Sequence, residues 1–538
     1  MNLRLSNRGR RGWRAWWPLL AALTLACAPG RSVQTPVTSA APAESARAAA
    51  PTSTPASPGS DPAPTAQTGD GPGYAPRALS AEQARADIEL MWRALDRIHP
   101  GLDRYASADE LAAARAHLAR LAASETDDVA LYREISLALA AIRCDHTKAE
   151  VPDRLSEYRQ GQPSHLPFRF VVLDGRMYVV SSDPSAPGLS RGNEVVRIAD
   201  RPVAELLTTL GRAIPVDGFT DSVKAVALAS SGEFLGSGVD HFLPIFYGFA
   251  RSFAVTTRAS DGSERRTVVP AITFERWKTL PYDRGYRSDF ADAVTFKQLD
   301  ANTAYLAVST FVNYRKPVDP IAVYQPIFAQ LKREGIGHLI VDLRDNGGGS
   351  NDASTGLARF LLSRTFTWLR SAQVKSIGVG ELKAHMSSWA REALDPPAQW
   401  FRARPDGMFE VVHPGIANRT QHTPHPDRFT GRITVLIGPN NASGVTMLLA
   451  KLTDAGRIRT VGMATGGSAE GPTAGILVFL TLPHSGIKVR IPVMRQYTDI
   501  ARFTPGQGIE PDIVVPISAQ DYFAGIDRAL SVARAAQP

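Results

Sequence analysis

The sequence predicts an α/β fold in which a small helical domain and a β-rich region precede a larger α/β domain. Three observations lead to this prediction. Apolar residues recur at helical spacing through residues 79–143. Short apolar runs separated by turn residues dominate residues 165–275. A strand, a helix and a second strand follow one another over residues 304–344, which is the order of a parallel β-α-β unit.

The composition is that of a folded chain with several domains. The 538 residues are 44% hydrophobic, which suffices for two to four domains and a large core. The formal charge of +8 is concentrated at the start, because five arginines and no acidic residue precede Cys27. Without them the charge falls to about +3, so we expect no nucleic-acid partner. These arginines are Arg4, Arg8, Arg10, Arg11 and Arg14.

Residues 1–27 have the pattern of an export signal. The arginine-rich start is followed by an apolar run that is too short to span a bilayer permanently. Its end, Leu25-Ala26-Cys27, resembles the lipobox of bacterial lipoproteins, although Thr24 stands where Leu or Val is usual. We therefore expect an exported lipoprotein of the periplasm or cell envelope, anchored to a membrane through lipid on Cys27. Ordinary signal cleavage at residues 26–28 is the alternative.

A flexible tether is expected after the signal. Residues 28–78 consist largely of Pro, Ala, Ser and Thr and cannot bury enough apolar surface to fold, so we predict a disordered linker. The chain has two cysteines. If Cys27 carries lipid, Cys144 is left single, and we expect no disulfide framework.

The helical domain is predicted at residues 79–150. Ser80 followed by Gln83 is a capping-box pattern that starts the first helix, and further helices are expected at residues 108–123 and 127–142. The domain ends with Asp145-His146-Thr147. Taken alone, a histidine after a helix is more often a hydrogen-bonded turn residue or a surface residue than a functional one.

The β-rich region is predicted at residues 151–290. Two strands flank the turn dipeptide Asp174-Gly175, which indicates a hairpin. Residues 188–207 then have a tight turn at Gly192, a strand at 194–198 and a helix from about Val203, and this stretch resembles the second half of a PDZ domain. That resemblance implies a groove in which an extended peptide adds as a strand. A generic β-rich connector is the alternative, and residues 211–287 carry no motif that predicts a function.

Ser443 lies where a buried strand gives way to a helix. Residues 433–437 read as a strand, Gly438-Pro439-Asn440-Asn441 as a turn, and the apolar residues after Ser443 recur at helical spacing. Unpaired N–H groups and the positive end of the helix dipole favour negative charge at such a point. The alternative interpretation is an ordinary helix cap, because Ser is a favoured N-cap residue.

A run of three glycines, Gly347-Gly348-Gly349, follows the strand predicted at residues 338–344. Glycine permits positive φ angles and close approach of another group to the backbone. The run lacks the lysine and the spacing of phosphate-binding loops. Backbone N–H donors for an oxyanion fit it better.

Five short motifs follow one another in the last part of the chain: Leu343-Arg-Asp-Asn-Gly-Gly-Gly349, Leu436-Ile-Gly-Pro-Asn-Asn-Ala-Ser-Gly444, Val461-Gly-Met-Ala-Thr-Gly-Gly467, Leu482-Pro-His-Ser-Gly486 and Gly508-Ile-Glu-Pro-Asp512. With these motifs in this order, the chain resembles the S41 peptidases, the tail-specific or C-terminal-processing proteases. The resemblance implies a ClpP/crotonase-like α/β catalytic domain over residues 291–538, with Ser443 as nucleophile. It also implies an oxyanion hole formed by Gly347 or Gly348 together with the backbone N–H of Gly444.

The identity of the general base is not given by these motifs, because the two branches of the family use different residues as base. One branch places a lysine after the Thr-Gly-Gly stretch, where this chain has Ser468. Lys488 is a less favoured alternative. The other, tricorn-like branch takes a histidine from the helical region, and Asp145-His146-Thr147 resembles that stretch. We therefore expect His146 to take the proton from Ser443.

The group that orients His146 is left open. The tricorn-like branch uses a glutamate at the position that Pro505 occupies here. Asp145 and Glu510 are the substitutes that the sequence offers, although Glu510-Pro511-Asp512 is more typical of a structural turn.

These expectations define an exported serine endopeptidase that cleaves unfolded or C-terminal polypeptide segments through an acyl-enzyme. The alternative is a catalytically inactive S41-fold protein that binds peptides or scaffolds the cell envelope; acyl chemistry on thioesters is a third option. No cofactor or metal is expected, because the histidines and cysteines lack ligand spacing.

Overall fold

The computed structural model describes residues 73–230, 234–283 and 289–535. The predicted export signal, Cys27 and all but the last residues of the predicted linker lie outside them. None of the helices in these ranges is both long enough and apolar enough to cross a membrane.

Three helices form the first part of the described chain. The predicted capping box is confirmed, because the Ser80 hydroxyl accepts from the Gln83 N–H at 3.2 Å and the Gln83 side chain accepts from the Ser80 N–H at 3.0 Å. The elements are β1 (Ala78–Leu79), α1 (Ala81–Ile98), α2 (Ala108–Leu121), β2 (Thr126–Asp127) and α3 (Asp128–Ala140). The long first helix buries one face, as its apolar spacing predicts.

The chain then runs into a sheet that belongs mainly to the C-terminal part. The next elements are β3 (Lys148–Glu150) and α4 (Asp153–Gly161). β3 pairs antiparallel with the strand Lys488–Thr498, with Ala149 opposite Val489. His146 therefore lies two residues before a strand of that sheet. A three-residue strand carries no periodicity, which is why the sequence placed these residues in the helical domain.

An antiparallel sheet forms the middle of the chain. Its strand order is β4-β5-β6-β8-β9, with β7 paired to β6. The predicted hairpin is confirmed: Asp174 and Gly175 turn at φ angles of 47° and 71°. The expected strand at 194–198 and helix from Val203 are also present. The elements are β4 (Phe168–Leu173), β5 (Arg176–Ser182), β6 (Glu194–Ile198), β7 (Arg201–Pro202), α5 (Val203–Gly211), α6 (Val223–Ala229), α7 (Gly238–Tyr247), β8 (Ser252–Arg258), β9 (Glu264–Pro270) and α8 (Phe274–Thr279). Whether this sheet is a PDZ domain stays a prediction.

The C-terminal part is an α/β domain, as predicted. It begins with β10 (Val294–Gln298), β11 (Thr303–Val308), α9 (Pro320–Arg333), β12 (His338–Asp342), α10 (Asn351–Leu361), β13 (Phe366–Thr367), β14 (Leu369–Val374), β15 (Met386–Ser387), β16 (Phe401–Ala403), β17 (Phe409–Val411), α11 (Pro414–Ala417) and β18 (Gln421–His422). It ends with β19 (Arg432–Ile437), α12 (Gly444–Asp454), β20 (Arg459–Gly462), β21 (Thr473–Thr481), β22 (Lys488–Thr498), β23 (Ile513–Val514), α13 (Ala519–Ala524) and α14 (Arg528–Ala535). Four 3₁₀ turns complete the described elements, at Phe290–Asp292, Gly380–His385, Arg391–Leu394 and Ala398–Trp400.

Two sheets organise this domain. In the first, ordered β10-β11-β12-β19-β20-β23, all neighbours after β11 run parallel, so the predicted β-α-β unit is confirmed. The second has the order β15-β21-β22-β14-β17-β16, and β3 joins it at β22. Because β12 and β19 are parallel neighbours, the segments that follow them leave the sheet at the same edge. The triple-glycine loop and Ser443 follow these two strands.

Candidate active site

Ser443 has a backbone conformation that residues with a side chain rarely adopt. Its φ and ψ are 55° and −128°, between the end of β19 and the start of α12. Its side chain makes no capping hydrogen bond to the helix, so the interpretation of Ser443 as an ordinary helix cap is wrong. A conformation of this kind costs about 1–3 kcal/mol and persists where surrounding contacts impose it. Such contacts are present on two sides.

Asn441 fixes the turn before Ser443 to the triple-glycine loop. Its side chain is fully buried. The amide nitrogen donates to the carbonyls of Leu343 at 2.5 Å and Asn346 at 3.0 Å, and the amide oxygen accepts from the Gly438 N–H at 2.8 Å. One side chain thus satisfies three backbone groups in two loops. The position of Ser443 relative to the glycines follows from these bonds.

The triple-glycine loop passes directly beside Ser443. Gly348 has a φ of 99°, and a Cβ there would lie 2.9 Å from Ser443 Cβ and 2.6 Å from the Ala442 carbonyl oxygen. Glycine is therefore required at this position for steric reasons. The approach brings the N–H groups of the loop next to the N-terminus of α12.

The expected oxyanion donors differ in availability. The Gly348 N–H donates to Asn346 Oδ1 at 2.8 Å and is not free in this structure. Within the described residues, the N–H groups of Gly347 and Gly444 have no acceptor. Gly347 is exposed, whereas Gly444 is buried at the first position of the helix. Of the predicted donors, Gly347 and Gly444 are the two whose N–H groups are free to donate to an oxyanion as placed here.

The second side of Ser443 is formed by Gly466 and Gly467. A Cβ on Gly467 would lie 3.2 Å from the Ser443 nitrogen and 2.9 Å from Ala442 Cα. The Gly466 carbonyl accepts from Thr220 Oγ1 at 2.7 Å. The segment therefore touches Ser443 on one side and the loop between α5 and α6 on the other.

His146 lies in a turn that is held by buried polar groups. The Thr147 N–H donates to the Cys144 carbonyl at 3.0 Å. Thr147 Oγ1 lies 2.8 Å from His99 Nε2, and the Gly101 N–H donates to His99 Nδ1 at 3.1 Å. Because His99 Nδ1 is an acceptor, its Nε2 carries the proton and donates to Thr147. Burial, the largest cause, lowers the pKa of His99 to about 3, so this imidazole is neutral.

The two ring nitrogens of His146 have different surroundings. Nδ1 is buried and has no hydrogen-bond partner in the described part of the chain. Nε2 makes no hydrogen bond to the described residues and is not buried, so it is accessible to solvent. The ring therefore presents Nε2 outward and Nδ1 to the interior. An accessible nitrogen is what a general base requires.

Asp217 lies beside this turn, although no sequence motif marks it. Its carboxylate is 2% exposed, and Oδ1 accepts from the Asp145 N–H at 3.1 Å. Oδ2 is buried without a partner among the described residues. Burial raises the pKa of Asp217, and the charge of the neighbouring His146 opposes that rise. The residue stands in a stretch where no motif was found; an aspartate among apolar residues is the one weak signal there.

The structure brings some of the expected residues together and not others. Ser443 Oγ and His146 are not hydrogen-bonded to each other, but their loops are linked by the Gly466-Gly467 segment and the Asp217 loop. Lys488 forms an ion pair with Asp153 at 2.6 Å, which engages the ammonium group away from Ser443.

Asp145 and Glu510, the two residues that the sequence offered for orienting His146, are paired with another residue or exposed. The Asp145 carboxylate accepts from Lys148 Nζ at 3.4 Å, and Glu510 is exposed. The neighbouring Asp512 binds the Thr460 N–H at 2.7 Å, as a structural turn would. In the ranges that the structure describes, no group of three or more His, Cys, Asp or Glu residues is placed to hold a metal ion.

Glu470 contacts the loop in which Pro505 stands where the tricorn-like branch has a glutamate. Its Oε1 accepts from the Gly506 N–H at 3.3 Å and from the Tyr105 hydroxyl, and it forms an ion pair with Arg104 at 3.3 Å. Two hydrogen-bond donors and one ion-pair partner therefore contact the same carboxylate oxygen. It joins the helical part of the chain to the Gly506 loop.

Comparison with known proteins identifies the family of this domain. The model of peptidase family S41 matches residues 302–515. A CPAF mutant aligns with 85% of this chain and 99% of its own chain, at a TM-score of 0.57 and 13% identity. Mature CPAF complexed with lactacystin aligns with 84% of this chain and 99% of its own chain, at a TM-score of 0.54 and 13% identity. These structures share the fold, and no curated protein matches the sequence. The domain that holds Ser443 and the triple-glycine loop belongs to peptidase family S41.

Proposed function

We propose that this S41 peptidase is an exported serine endopeptidase in which Ser443 is the nucleophile and His146 the general base. The observation that carries the proposal is the Ser443 backbone. The serine is held at a φ of 55° at a helix N-terminus, beside unaccepted N–H groups, and its side chain does not cap the helix. A strained serine between a strand and a helix is the arrangement by which hydrolases expose a nucleophilic hydroxyl.

The chemistry follows from the placement of these groups. Ser443 Oγ attacks the carbonyl carbon of the substrate, and its proton passes to His146 Nε2. The N–H groups of Gly347 and of Gly444, the first residue of α12, donate hydrogen bonds to the negatively charged carbonyl oxygen. His146 then gives its proton to the leaving amine, and water hydrolyses the acyl-enzyme by the same route. Ser443 and His146 are not hydrogen-bonded as placed here, so we expect substrate binding to bring the two side chains together.

Activity and active-site labelling test the assignment together. The full-length chain, purified in detergent, is expected to hydrolyse labelled casein and to react with a fluorophosphonate at Ser443. Ser443→Ala should abolish both, and His146→Ala should reduce both at least 100-fold, since general-base catalysis typically contributes 10²–10⁴-fold. His117→Ala is the matched control, because this surface histidine pairs with Glu134 at 2.7 Å outside the site.

A different outcome would support the other candidate function. If the wild type neither turns over peptide nor reacts with the fluorophosphonate, yet Ser443→Ala binds unfolded peptide with wild-type affinity, the chain is an inactive peptide-binding or scaffolding protein.

We also propose that the substrates are unfolded or C-terminal polypeptide segments. The resemblance to the tail-specific proteases supports this proposal. Two reporter proteins that differ in having a folded or a disordered C-terminal tail test it, and cleavage should be at least tenfold faster for the disordered tail. Equal rates would contradict the proposal.

Export and anchoring rest on the first 27 residues. Leu25-Ala26-Cys27 supports lipidation of Cys27 in the cell envelope. Mass spectrometry of the chain purified from membranes is expected to find a diacylglyceryl group on Cys27. Cys27→Ser should remove this group and release the chain from the membrane fraction. An unmodified Cys27, or a mature chain that begins after it at residue 28 or 29, would favour ordinary signal cleavage.

A further inference from the structure

Two buried polar atoms beside the proposed base lack partners. They are Nδ1 of His146 and Oδ2 of Asp217, and neither has a hydrogen-bond partner among the residues that the structure describes. Leaving a buried donor or acceptor unsatisfied costs about 1–3 kcal/mol, so such atoms call for an explanation. One atom is a potential donor and the other an acceptor, and the charges of the two groups act on each other.

Backbone hydrogen bonds hold the two groups in one unit. The Asp145 N–H donates to Asp217 Oδ1 at 3.1 Å, which leaves Oδ2 free on the same carboxylate. The Gly218 N–H donates to the Arg143 carbonyl at 3.0 Å. The Asp217 loop is therefore fixed to the residues on either side of Cys144, next to His146.

The other charged or titratable groups near Asp217 include Asp145, Arg104, Cys144 and Arg143, whose guanidinium donates to the Gly218 carbonyl at 3.5 Å and pairs with Glu110 at 4.0 Å. Asp145 repels the carboxylate and is itself paired with Lys148. Arg104 forms an ion pair with Glu470. Burial raises the pKa of the Cys144 thiol to about 12, so the thiol is neutral. Of the groups that carry or can take a positive charge here, His146 is the one that follows directly on Asp145, whose N–H binds the Asp217 carboxylate.

Glu470 is the competing candidate, because it lies by the loop where the tricorn-like branch has its glutamate. Its Oε1 accepts from the Tyr105 hydroxyl and the Gly506 N–H and pairs with Arg104. These contacts hold Glu470 against Tyr105 and the Gly506 loop, whereas Asp217 is hydrogen-bonded to the residue next to His146 and has a buried Oδ2 without a partner among the described residues.

We infer that Asp217 is the positioning residue that accepts from the Nδ1–H of His146 and so directs Nε2 toward Ser443. The inference rests on the proposed function for its catalytic meaning. When Nε2 takes the Ser443 proton, the ring becomes an imidazolium, and the Asp217 carboxylate stabilises its charge without taking the proton. The proton then leaves from Nε2 to the amine of the departing peptide, and the ring returns to its neutral form.

The tautomer of His146 is the decisive measurement, because it does not depend on turnover. Full-length protein labelled with ¹⁵N in its histidines gives separate signals for the two ring nitrogens, and the His146 signals are those absent from His146→Gln. In the wild type we expect the neutral ring to carry its proton on Nδ1. In Asp217→Asn we expect the proton to move to Nε2, because an amide can donate to Nδ1.

Activity provides the second measurement. Asp217→Asn should lower kcat by about 10²–10⁴-fold with KM changed less than threefold, as for the aspartate of a catalytic triad. Asp217→Glu should restore part of the loss. Asp87→Asn is the matched control, because Asp87 is fully buried and accepts backbone N–H groups from His484 and Ser485 at 3.1 Å and 2.7 Å. It should leave both the tautomer and kcat unchanged.

The outcomes separate this inference from the proposed function. A wild-type ring with its proton on Nε2 overturns the role of Asp217, even if Asp217→Asn fails to fold. So does a tautomer change in Glu470→Gln that Asp217→Asn does not show. If the wild type is inactive and Ser443 unreactive but the tautomer changes in Asp217→Asn, the contact is real and the peptidase proposal fails instead.

Discussion

Replacing Ser443 by glycine should make the folded protein more stable while it removes the nucleophile. The φ of 55° costs a residue with a Cβ about 1–3 kcal/mol. Glycine avoids that cost but loses about 0.5–1 kcal/mol more conformational entropy on folding. Because the side chain makes no capping hydrogen bond, little else is lost. The net expectation is a gain of about 1 kcal/mol over both the wild type and Ser443→Ala, since Ala keeps the Cβ and its strain.

Calorimetry at matched scan rate and concentration measures the difference. For a chain of this length, 1 kcal/mol corresponds to about 1 °C in Tm, so the order of Tm values decides the result. Ser107→Gly is the control: Ser107 caps α2 at a φ of −74° and accepts from the Glu110 N–H, so glycine there should lower Tm. If Ser443→Gly is no more stable than Ser443→Ala while Ser107→Gly is destabilised, Ser443 is not strained and the argument for an imposed nucleophile conformation fails.

Three further predictions concern the surroundings of Ser443. Asn441→Ala leaves the Gly438 N–H and the Asn346 carbonyl without partners, whereas the Leu343 carbonyl still accepts from the Asn346 N–H, so it should destabilise the fold by about 2 kcal/mol or more and abolish Ser443 labelling; denaturant unfolding and fluorophosphonate labelling check the two expectations. Gly467→Ala places a Cβ 2.6 Å from Thr446 Oγ1, and should cut kcat/KM at least tenfold, whereas Gly161→Ala, which meets nothing within 4 Å, should not. Asp217→Asn should be at least as stable as the wild type at pH 7, because burial raises the pKa of the Asp217 carboxyl in the folded state. The wild type therefore loses stability as the pH rises above the pKa of this carboxyl in the unfolded chain. In a series of Tm measurements, the difference between the two proteins should disappear below about pH 4.

Local patterns were enough to predict much of the fold. The capping box at Ser80 and the turn at Asp174-Gly175 depend on residues within a few positions of one another, and both are present. The β-α-β unit follows from periodicity and chain order, and its strands are parallel as expected. The family resemblance over the C-terminal part was likewise readable from short motifs.

The rest depends on contacts between distant segments. Asp217 acts on a turn 72 residues earlier, and nothing in its own neighbourhood marks it. Which glycine N–H is free follows from one side chain, since Asn346 binds that of Gly348. The pattern around Ser443 predicts a helix start but not the sign of φ, which is set by the loops on either side. A sequence pattern predicts the helices and strands, whereas the geometry of the site depends on how these elements pack together.

The distribution of unsatisfied groups at the site favours a reaction over a structural role. Two of the side chains that hold the loops have their hydrogen bonds made, since Asn441 binds three backbone groups and Thr220 binds the Gly466 carbonyl; the buried hydroxyl of Ser468, next to Gly467, has no partner in the described residues. The atoms proposed to react or to direct the reaction lack partners in the described residues, namely Ser443 Oγ, His146 Nδ1 and Asp217 Oδ2. A turn selected for stability alone would have a glycine at the position of Ser443 and no buried carboxylate beside the histidine. A peptide-binding scaffold needs neither feature, so the combination of rigid support and unsatisfied reactive groups is evidence for catalysis.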